Sequence, residues 1–363
     1  MSGVFSNIYN GKRVLITGHT GFKGSWLSIW LNELGANVIG YALNPPTTPS
    51  LFEVCDLKKK VTSIIGDIRN LKMLRDVFEK YQPEIVFHMA AQSLVRYSYK
   101  KPVETYETNI IGTVNLLEVC RHTPSVRVIV NITSDKCYEN RDQVCGYKED
   151  DPMGGYDPYS SSKGCAELIT NAYLKSFFNP ENFKEHGKCL ASVRAGNVIG
   201  GGDWAEDRFI PDCIKALLKN KPIIIRYPDA VRSWQHVLEP LFGYLLLAQR
   251  LYQEGPTFTG GWNFGPDDEG VKPVGWLVEQ ITEMWGNNAS WEIDQGNNPH
   301  EAHYLKLDCS KAKSKLDWHP RWNLKLALDK TIEWYKAYCN HEDMLNITIN
   351  QIKSYEKCIQ KER

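Results

Sequence analysis

The chain has 363 residues, room for two domains or one large one at roughly 150 residues per domain. Its 43 Lys+Arg balance its 43 Asp+Glu, which argues against a general polyanion binder, since neutralising phosphates calls for a basic excess. No apolar run approaches the ~18 residues of a membrane span, and the opening MSGVFSNIYNGKR lacks the basic-then-apolar order of a secretory signal, so a soluble, cytoplasmic protein is expected.

Lys12-Arg13-Val14-Leu15-Ile16-Thr17 is a short, apolar, β-branched run that predicts a strand. A glycine-rich turn follows. Residues 25–34 then carry Trp26, Leu27, Ile29, Trp30 and Leu34 at helical spacing, with Gly35 as the stop. Further strands are expected over 37–43, 61–65, 85–89 and 126–133, separated by helical patterns, with helices over 103–122 and 159–177. Such alternation predicts an α/β fold in which crossover helices join the strands of a doubly wound parallel sheet. After Arg194 the signals become irregular, and a smaller α/β domain is expected. No Pro/Ser-rich linker divides the two, so they should share an interface. The expected division gives 1–200, with returning segments near 232–265, to the sheet domain. Residues 201–231 and 266–345 form the smaller domain, and 346–363 a polar helix or tail.

Ten cysteines occur without a C-x-x-C pair or a His/Cys cluster at zinc-ligand spacing. They read as free, largely buried thiols, and no metal is expected. Asn131-Ile132-Thr133 matches a glycosylation sequon but falls in a buried strand, so the match is read as accidental.

Three motifs carry chemistry. Gly18-His19-Thr20-Gly21-Phe22-Lys23-Gly24 leaves a strand and opens a helix, the context in which a tight turn brings free helix N–H groups to a pyrophosphate. The second strand ends Gly40-Tyr41-Ala42-Leu43-Asn44, with neither the acid that reads an NAD ribose nor an arginine for NADP. Asp67 is either an adenine contact or a helix N-cap. The second motif, Tyr159-Ser-Ser-Ser-Lys163, sets a phenol and an ammonium on one helix face. Bringing a phenol from pH ~10 to near neutrality takes about 3 pKa units, which nearby positive charge can supply. Tyr97-Ser-Tyr-Lys-Lys101 has the same spacing but runs into Pro102, which disfavours a helix there. The third is the strand end Thr133-Ser134-Asp135-Lys136, where a hydroxyl, a carboxyl and an amine stand at the carboxyl end of a parallel strand, the edge that binds ligands in such sheets.

In this order and at these separations the motifs resemble the extended short-chain dehydrogenase/reductase family. So do His88-Met89-Ala90-Ala91-Gln92-Ser93, Glu107 to Thr113, Arg194-Ala195-Gly196-Asn197-Val198, Arg232 to Val237 and Trp262-Asn263-Phe264-Gly265. The likeness spans nearly the whole chain and implies a Rossmann-type domain, a smaller nucleotide-sugar domain and NAD as cofactor. It implies cofactor contacts from Gly18, Thr20, Gly21, Phe22, Lys23, Gly24, Asp67, Ile68, Met89, Ala90, Ala91 and Thr108, with Tyr159 and Lys163. It implies substrate contacts from Gln92, Ser93, Asn197, Arg208, Arg226, Arg232, Asn263 and Tyr304. Nucleotide-sugar 4,6-dehydratases commonly carry an acid–acid pair where this chain has Asp135-Lys136. That difference, with Gly200 to Arg208 and His300 to Tyr304, is most similar to the branch acting on CDP-glucose, on the route to dideoxyhexoses of bacterial surface polysaccharide.

The resemblance implies that Tyr159 takes the C4 hydroxyl proton, Lys163 holds the phenolate, and Asp135 protonates the departing C6 hydroxyl after Ser134 has helped bind C4. Lys136 is placed in the site either as a neutral base or as a cation stabilising an enolate. Helices 103–122 and 159–177 carry apolar stripes (Ile110, Ile111, Val114, Leu117) that imply a homodimer. The rival readings are a 4-epimerase, a dehydratase for another nucleotide sugar, and a non-catalytic relative.

Overall fold

The computed structural model describes residues 4–141, 143, 145–294, 296 and 305–361. In chain order the strands are β1 (Arg13–Thr17), β2 (Asn37–Ala42), β3 (Thr62–Ile65), β4 (Ile85–His88), β5 (Val128–Ile132), β6 (Cys189–Ala195), β7 (Asn197–Ile199), β8 (Ile223–Ile225), β9 (Val231–His236), β10 (Gly260–Phe264), β11 (Val271–Pro273) and β12 (Trp291–Ile293). Seven of them form one parallel sheet in the order β10-β6-β5-β4-β1-β2-β3. The doubly wound α/β arrangement expected from the alternation is therefore present.

Both faces of the sheet are covered, which is why its strands read as continuous apolar runs rather than alternating ones. Val128, Val130 and Ile132 of β5 enter the core that holds Trp26, Trp30 and Leu245. Ile129 points the other way, into a core with Leu116, Leu117 and Phe78. The strand order reverses between β1 and β4, opening a crevice at their carboxyl ends. Thr17 sits at that point, opposite Tyr41 on one side and His88 on the other. Its hydroxyl bonds His88 Nδ1 at 2.7 Å and accepts from the N–H groups of Met89 and Ala90 at 3.0 and 3.1 Å. This fixes the segment after β4 against the glycine loop.

The irregular second half resolves into small pieces. β7, β9 and β11 make a three-stranded sheet, β8 pairs with β12, and β10 returns to the edge of the large sheet. The Leu238–Glu254 helix packs beneath that sheet. The end of the chain is an amphipathic helix, Met344–Lys361, that buries Ile352, Tyr355 and Ile359. No helix among the described residues is long and apolar enough to cross a membrane.

Two local expectations are corrected. Pro102 does not prevent a helix over 97–101: Val95–Lys100 is helical, Lys101 breaks out at φ −136°, and Pro102 opens the next helix as its first residue. Proline cannot continue a helix but suits the first turn of one. The helix over 103–122 is built of Pro102–Tyr106, a wide turn Glu107–Ile111, and Gly112–His122. Its stripe is split, for Leu117 is buried in the core while Ile111 is exposed. All ten cysteines are free, and Asn131 is buried and bonded to Thr170 at 2.7 Å.

Candidate active site

The loop Gly18–Gly24 turns back on itself so closely that side chains are excluded. Gly18 has φ +77°, and a Cβ there would lie 2.8 Å from the Ala90 nitrogen. A Cβ at Gly24 would lie 2.1 Å from the Gly18 carbonyl. The Phe22–Glu33 helix begins three residues earlier than its apolar pattern, and its N-cap, Gly21, has no side chain to cap it. Its first N–H groups therefore face the crevice, the arrangement that takes a phosphate. Thr20 is tied to the Leu43 carbonyl at 2.9 Å. Asp67 is not a helix cap. It accepts from the backbone N–H of Arg69 at 2.8 Å and pairs with that guanidinium at 2.6 Å, while Asn70 caps the following helix. Ile68 is buried, and Thr108 lies half-buried in the wide turn.

At the end of β5 the backbone makes a single turn, Asp135–Cys137, capped by Ser134. Ser134 Oγ accepts from the Lys136 N–H at 3.3 Å and donates to Asp135 Oδ1 at 2.9 Å. The other carboxyl oxygen lies over Gly196, where a Cβ would stand 3.1 Å away. Burial pushes the Asp135 carboxyl above the ordinary carboxylate range, against the opposing pull of Lys136, Ser134 and Lys23. The shift is toward the protonated form, the direction an acid needs.

Tyr159 comes from the Pro158–Ser176 helix, which Asp157 caps by accepting from the Ser160 N–H at 2.9 Å. Burial pushes the phenol up to about 12, with Ser134 and the charge of Arg208 working the other way. One turn on, Lys163 donates to the Ile132 carbonyl at 3.3 Å. Burial lowers its amine to about 8, and Glu167 opposes that. Lys23 reaches the same place from the glycine loop. Its amine is also lowered to about 8, by burial and by Arg208 and Lys163, and the Asp135 charge holds it up. Lys23 and Lys136 thus bear on the Asp135 carboxyl, and Arg208 on the Tyr159 phenol.

Beneath them lies a second cluster. Glu167 and Arg194, each 4% exposed, pair at 2.8 Å. Glu167 also accepts from the Thr133 and Ser192 hydroxyls, and Arg194 donates to Tyr138 Oη at 2.5 Å. Tyr138 donates in turn to Asn263 Oδ1 at 2.8 Å. This corrects the expectation that Asn263 meets substrate: it is fully buried, and its amide nitrogen donates to the carbonyls of Tyr147 and Asp308. Gln92 is likewise turned inward. Its side chain closes on Leu94 and Thr105, shaping the loop rather than facing the crevice.

Arg208 is held by Asp203 Oδ2 at 2.9 Å and Ser93 Oγ at 2.8 Å, and its charge bears on Tyr159 and Lys23. Arg226 follows β8, and its Nη1 is buried without a hydrogen-bond partner among the described residues, the condition of a donor awaiting an anion. Arg232 lies on β9 and bonds the Val231 carbonyl at 2.9 Å, and Asn197 opens β7 beside it. Tyr304, with the rest of His300–Tyr304, lies outside the described residues. Two contributors escaped sequence reading. Glu167 continues the four-residue spacing of Tyr159 and Lys163, a signal that was available. Asp203 stands in a quoted motif without an assigned role.

Comparison with known proteins agrees with this geometry. The family model described as GDP-mannose 4,6 dehydratase matches residues 15–331. The chain is 58% identical over 349 residues to the CDP-glucose 4,6-dehydratase of Salmonella typhimurium, covering 96% of this chain and 97% of that one. Among solved structures, it resembles UDP-glucose 4-epimerase of Thermotoga maritima with UDP-glucose, with a TM-score of 0.76 at 25% identity over 90% of this chain and 99% of that one. It also resembles dTDP-glucose 4,6-dehydratase of Bacillus anthracis in complex with NAD, with a TM-score of 0.74 at 23% identity over 92% of this chain and all of that one; at that identity the likeness speaks for the fold. The chain belongs to the GDP-mannose 4,6 dehydratase family, within the extended short-chain dehydrogenases/reductases.

Proposed function

We propose that the protein is an NAD-dependent hydro-lyase that converts CDP-glucose to CDP-4-keto-6-deoxyglucose. One observation carries the reaction: Asp135, a buried carboxyl bonded to Ser134 and shifted toward its protonated form, shares the strand end with Tyr159, where an epimerase needs no acid. The nucleotide rests on the 58% identity to the Salmonella enzyme.

The glycine loop fits a dinucleotide, because its closeness to Ala90 and the uncapped helix leave a cradle that side chains would fill. Gly18, Thr20, Gly21, Phe22, Lys23 and Gly24 would hold the pyrophosphate, Asp67 and Ile68 the adenosine, and Met89, Ala90, Ala91 and Thr108 the middle of the cofactor. NAD+, when bound, supplies the hydride acceptor and donor and a positive charge near Tyr159.

The chain's own groups handle the protons. Tyr159 takes the C4 hydroxyl proton, with Ser134 and the charge of Arg208 favouring the phenolate. Lys163, lowered to about 8, is still mostly charged at pH 7 and adds to that pull. The C4 ketone acidifies C5–H. As that proton leaves, Asp135 protonates the C6 oxygen, C6–O breaks and water departs. Lys136 stands beside Asp135 to stabilise the enolate or move the C5 proton. Arg208, Arg226 and Arg232 would neutralise the substrate pyrophosphate, with Ser93, Asn197 and Tyr304 along the sugar nucleotide. In this reading the pieces around β7–β9, β11 and β12 act as the nucleotide-sugar domain.

The exposed apolar side chains Val103, Ile111, Leu168 and Phe177 on the helices flanking the sheet support a homodimer, which sedimentation of the purified protein tests. The product would feed CDP-linked dideoxyhexoses of bacterial surface polysaccharide in the cytoplasm. The activity test is mass spectrometry after incubation with NAD+ and, separately, CDP-, dTDP-, UDP-glucose and GDP-mannose. Loss of one water from CDP-glucose without net NADH is expected. An isomer of unchanged mass makes the chain an epimerase, and water loss from a different nucleotide sugar reassigns the substrate.

A further inference from the structure

A buried hydrogen-bond chain runs from the cofactor cradle to the catalytic helix, and it passes through one imidazole. His88 closes β4 and is 2% exposed. Its Nδ1 lies 2.7 Å from the Thr17 hydroxyl and its Nε2 3.1 Å from the Thr113 hydroxyl. Thr113 donates to the Asn109 carbonyl at 2.7 Å, inside the wide turn Glu107–Ile111. The Asn109 amide clasps the Gln92 backbone, accepting from its N–H at 2.8 Å and donating to its carbonyl at 2.9 Å. It also donates to Ser162 Oγ at 2.8 Å, and Ser162 donates to the Tyr159 carbonyl at 2.7 Å. Thr17, Thr113, Asn109 and Ser162 are all buried.

Counting protons gives the chain one direction. A threonine hydroxyl has a single proton. Thr113 gives its own to Asn109, so it can only accept from His88, and Nε2 must carry a proton. At the other end the Thr17 oxygen faces the N–H groups of Ala90 and, shared with the Thr17 carbonyl, of Met89. Its proton therefore turns to His88, and Nδ1 must carry none. Both ends demand the same neutral tautomer, and burial disfavours the charged ring as well. A buried polar network that is fully paired is rigid and fixes the geometry of its members.

The segment after β4 is thus held twice, at Met89 and Ala90 by Thr17 and at Gln92 by Asn109. His88 and Thr113 set the separation of the two holds. That segment walls the glycine loop, for a Cβ at Gly18 would stand 2.8 Å from the Ala90 nitrogen. The far end of the chain reaches the backbone of Tyr159 itself.

We propose that His88 is a positioning residue whose neutral Nε2–H tautomer keeps the wall of the cofactor cradle in register with the helix carrying Tyr159 and Lys163. It acts through Met89, Ala90 and Asn109, and the proposal rests on the NAD-dependent reading of the site. Oxidation at C4 needs the hydride acceptor and the phenol to address one carbon together. A shift of the wall against the helix therefore weakens cofactor binding and slows turnover at once.

The test compares wild type, His88→Leu, His88→Gln and Thr113→Val in the intact chain. The readouts are calorimetric NAD+ binding well below the melting point, turnover of CDP-glucose, thermal melting, and ring-nitrogen NMR. In wild type the imidazole should be neutral with its proton on Nε2. A proton on Nδ1 instead, or a charged ring near neutral pH, overturns the proposal. His88→Leu should raise the Kd for NAD+ about tenfold and lower kcat by about 10- to 100-fold. KM for CDP-glucose should stay level, because the arginines of the small strands lie off the chain. Thr113→Val, of nearly the same shape, should change affinity and rate in the same sense, and it carries the test should His88→Leu fail to fold. Joining the two should add little to either, since one broken link already opens the chain. His88→Gln, with an acceptor and a donor on one planar amide, should restore most of both. Variants that melt lower yet bind NAD+ and turn over as wild type does overturn the proposal, for His88 is then a packing residue. Failure of wild type to dehydrate CDP-glucose removes the reading beneath it, and NAD+ affinity with the ring tautomer then decides the proposal alone.

Discussion

Two clusters of buried charge meet at the end of β5, two residues apart along the chain, and they are built on opposite rules. Below, through Thr133, the Glu167–Arg194 pair has its hydrogen-bonding capacity met by Thr133, Ser192, Tyr138 and the Glu149 carbonyl. Above, Lys136 and Lys23 bear on a buried carboxyl, Asp135, which among the described residues' side chains accepts a hydrogen bond from Ser134 alone. Burial pushes Glu167 upward, but Arg194 and its hydrogen bonds reverse the shift. Burial pushes Asp135 upward and its neighbours do not reverse it. Complete pairing makes a rigid floor on which incomplete pairing can be held ready for substrate.

The contrast predicts opposite responses to substitution. Tyr159→Phe in the upper cluster should lower kcat by about 10⁴-fold, the upper range for a positioned acid–base group, with melting unchanged. A comparable loss of stability would erase the distinction between the clusters. Glu167→Gln in the lower cluster should destabilise by about 3–4 kcal/mol, because it strands a buried guanidinium. Glu167 is depressed in the folded state, so its contribution is complete above its ordinary value and is lost as pH falls through the folded one. Denaturant titrations of wild type and variant should therefore converge in acid.

Lys163→Met sharpens the comparison from the alkaline side. A lysine lowered to about 8 binds its proton more weakly folded than unfolded, so wild type gains stability as pH rises from 8 toward the ordinary lysine range. The variant lacks that gain. Its stability relative to wild type should fall by about 2 kcal/mol between pH 8 and 10, measured by the same titrations. The smallest effect is expected at Arg226, whose unpaired donor belongs with the upper rule although it lies on the small strands. Arg226→Met should raise KM for CDP-glucose about tenfold with kcat and melting retained. A fall in kcat would place Arg226 at the reacting carbons.

Much of the frame was legible because it follows from periodicity. β1, the glycine turn and the helix after it are adjacent in sequence and in space, and the four-residue spacing of Tyr159 and Lys163 survives as a shared face. The failures concern direction. Asn263 occupies a family motif, yet residue type does not say which way a side chain points along a strand edge, and this one points into the floor. Of the two readings of Asp67, the helix cap fails, because Asn70 takes that place while Asp67 pairs with Arg69; the adenosine contact is the one kept in the proposed function.

The closing helix, Met344–Lys361, carries a further consequence, for the order in which the molecule is made. Trp30, on the helix that follows the glycine loop, donates to Glu356 at 2.8 Å, and Tyr355 donates to Glu239 at 2.6 Å. Glu239 in turn accepts from the N–H groups of Arg321 and Trp322. The first crossover helix is thus sealed by a residue 326 positions further along the chain, and the large sheet gains its edge strand only when residues 260–264 have been synthesised. Although domains generally fold from the N-terminus as they emerge, the cofactor cradle of this protein acquires its outer wall only once residues 344–361 have been made. A nascent chain stalled before Met344 leaves Trp30 uncovered.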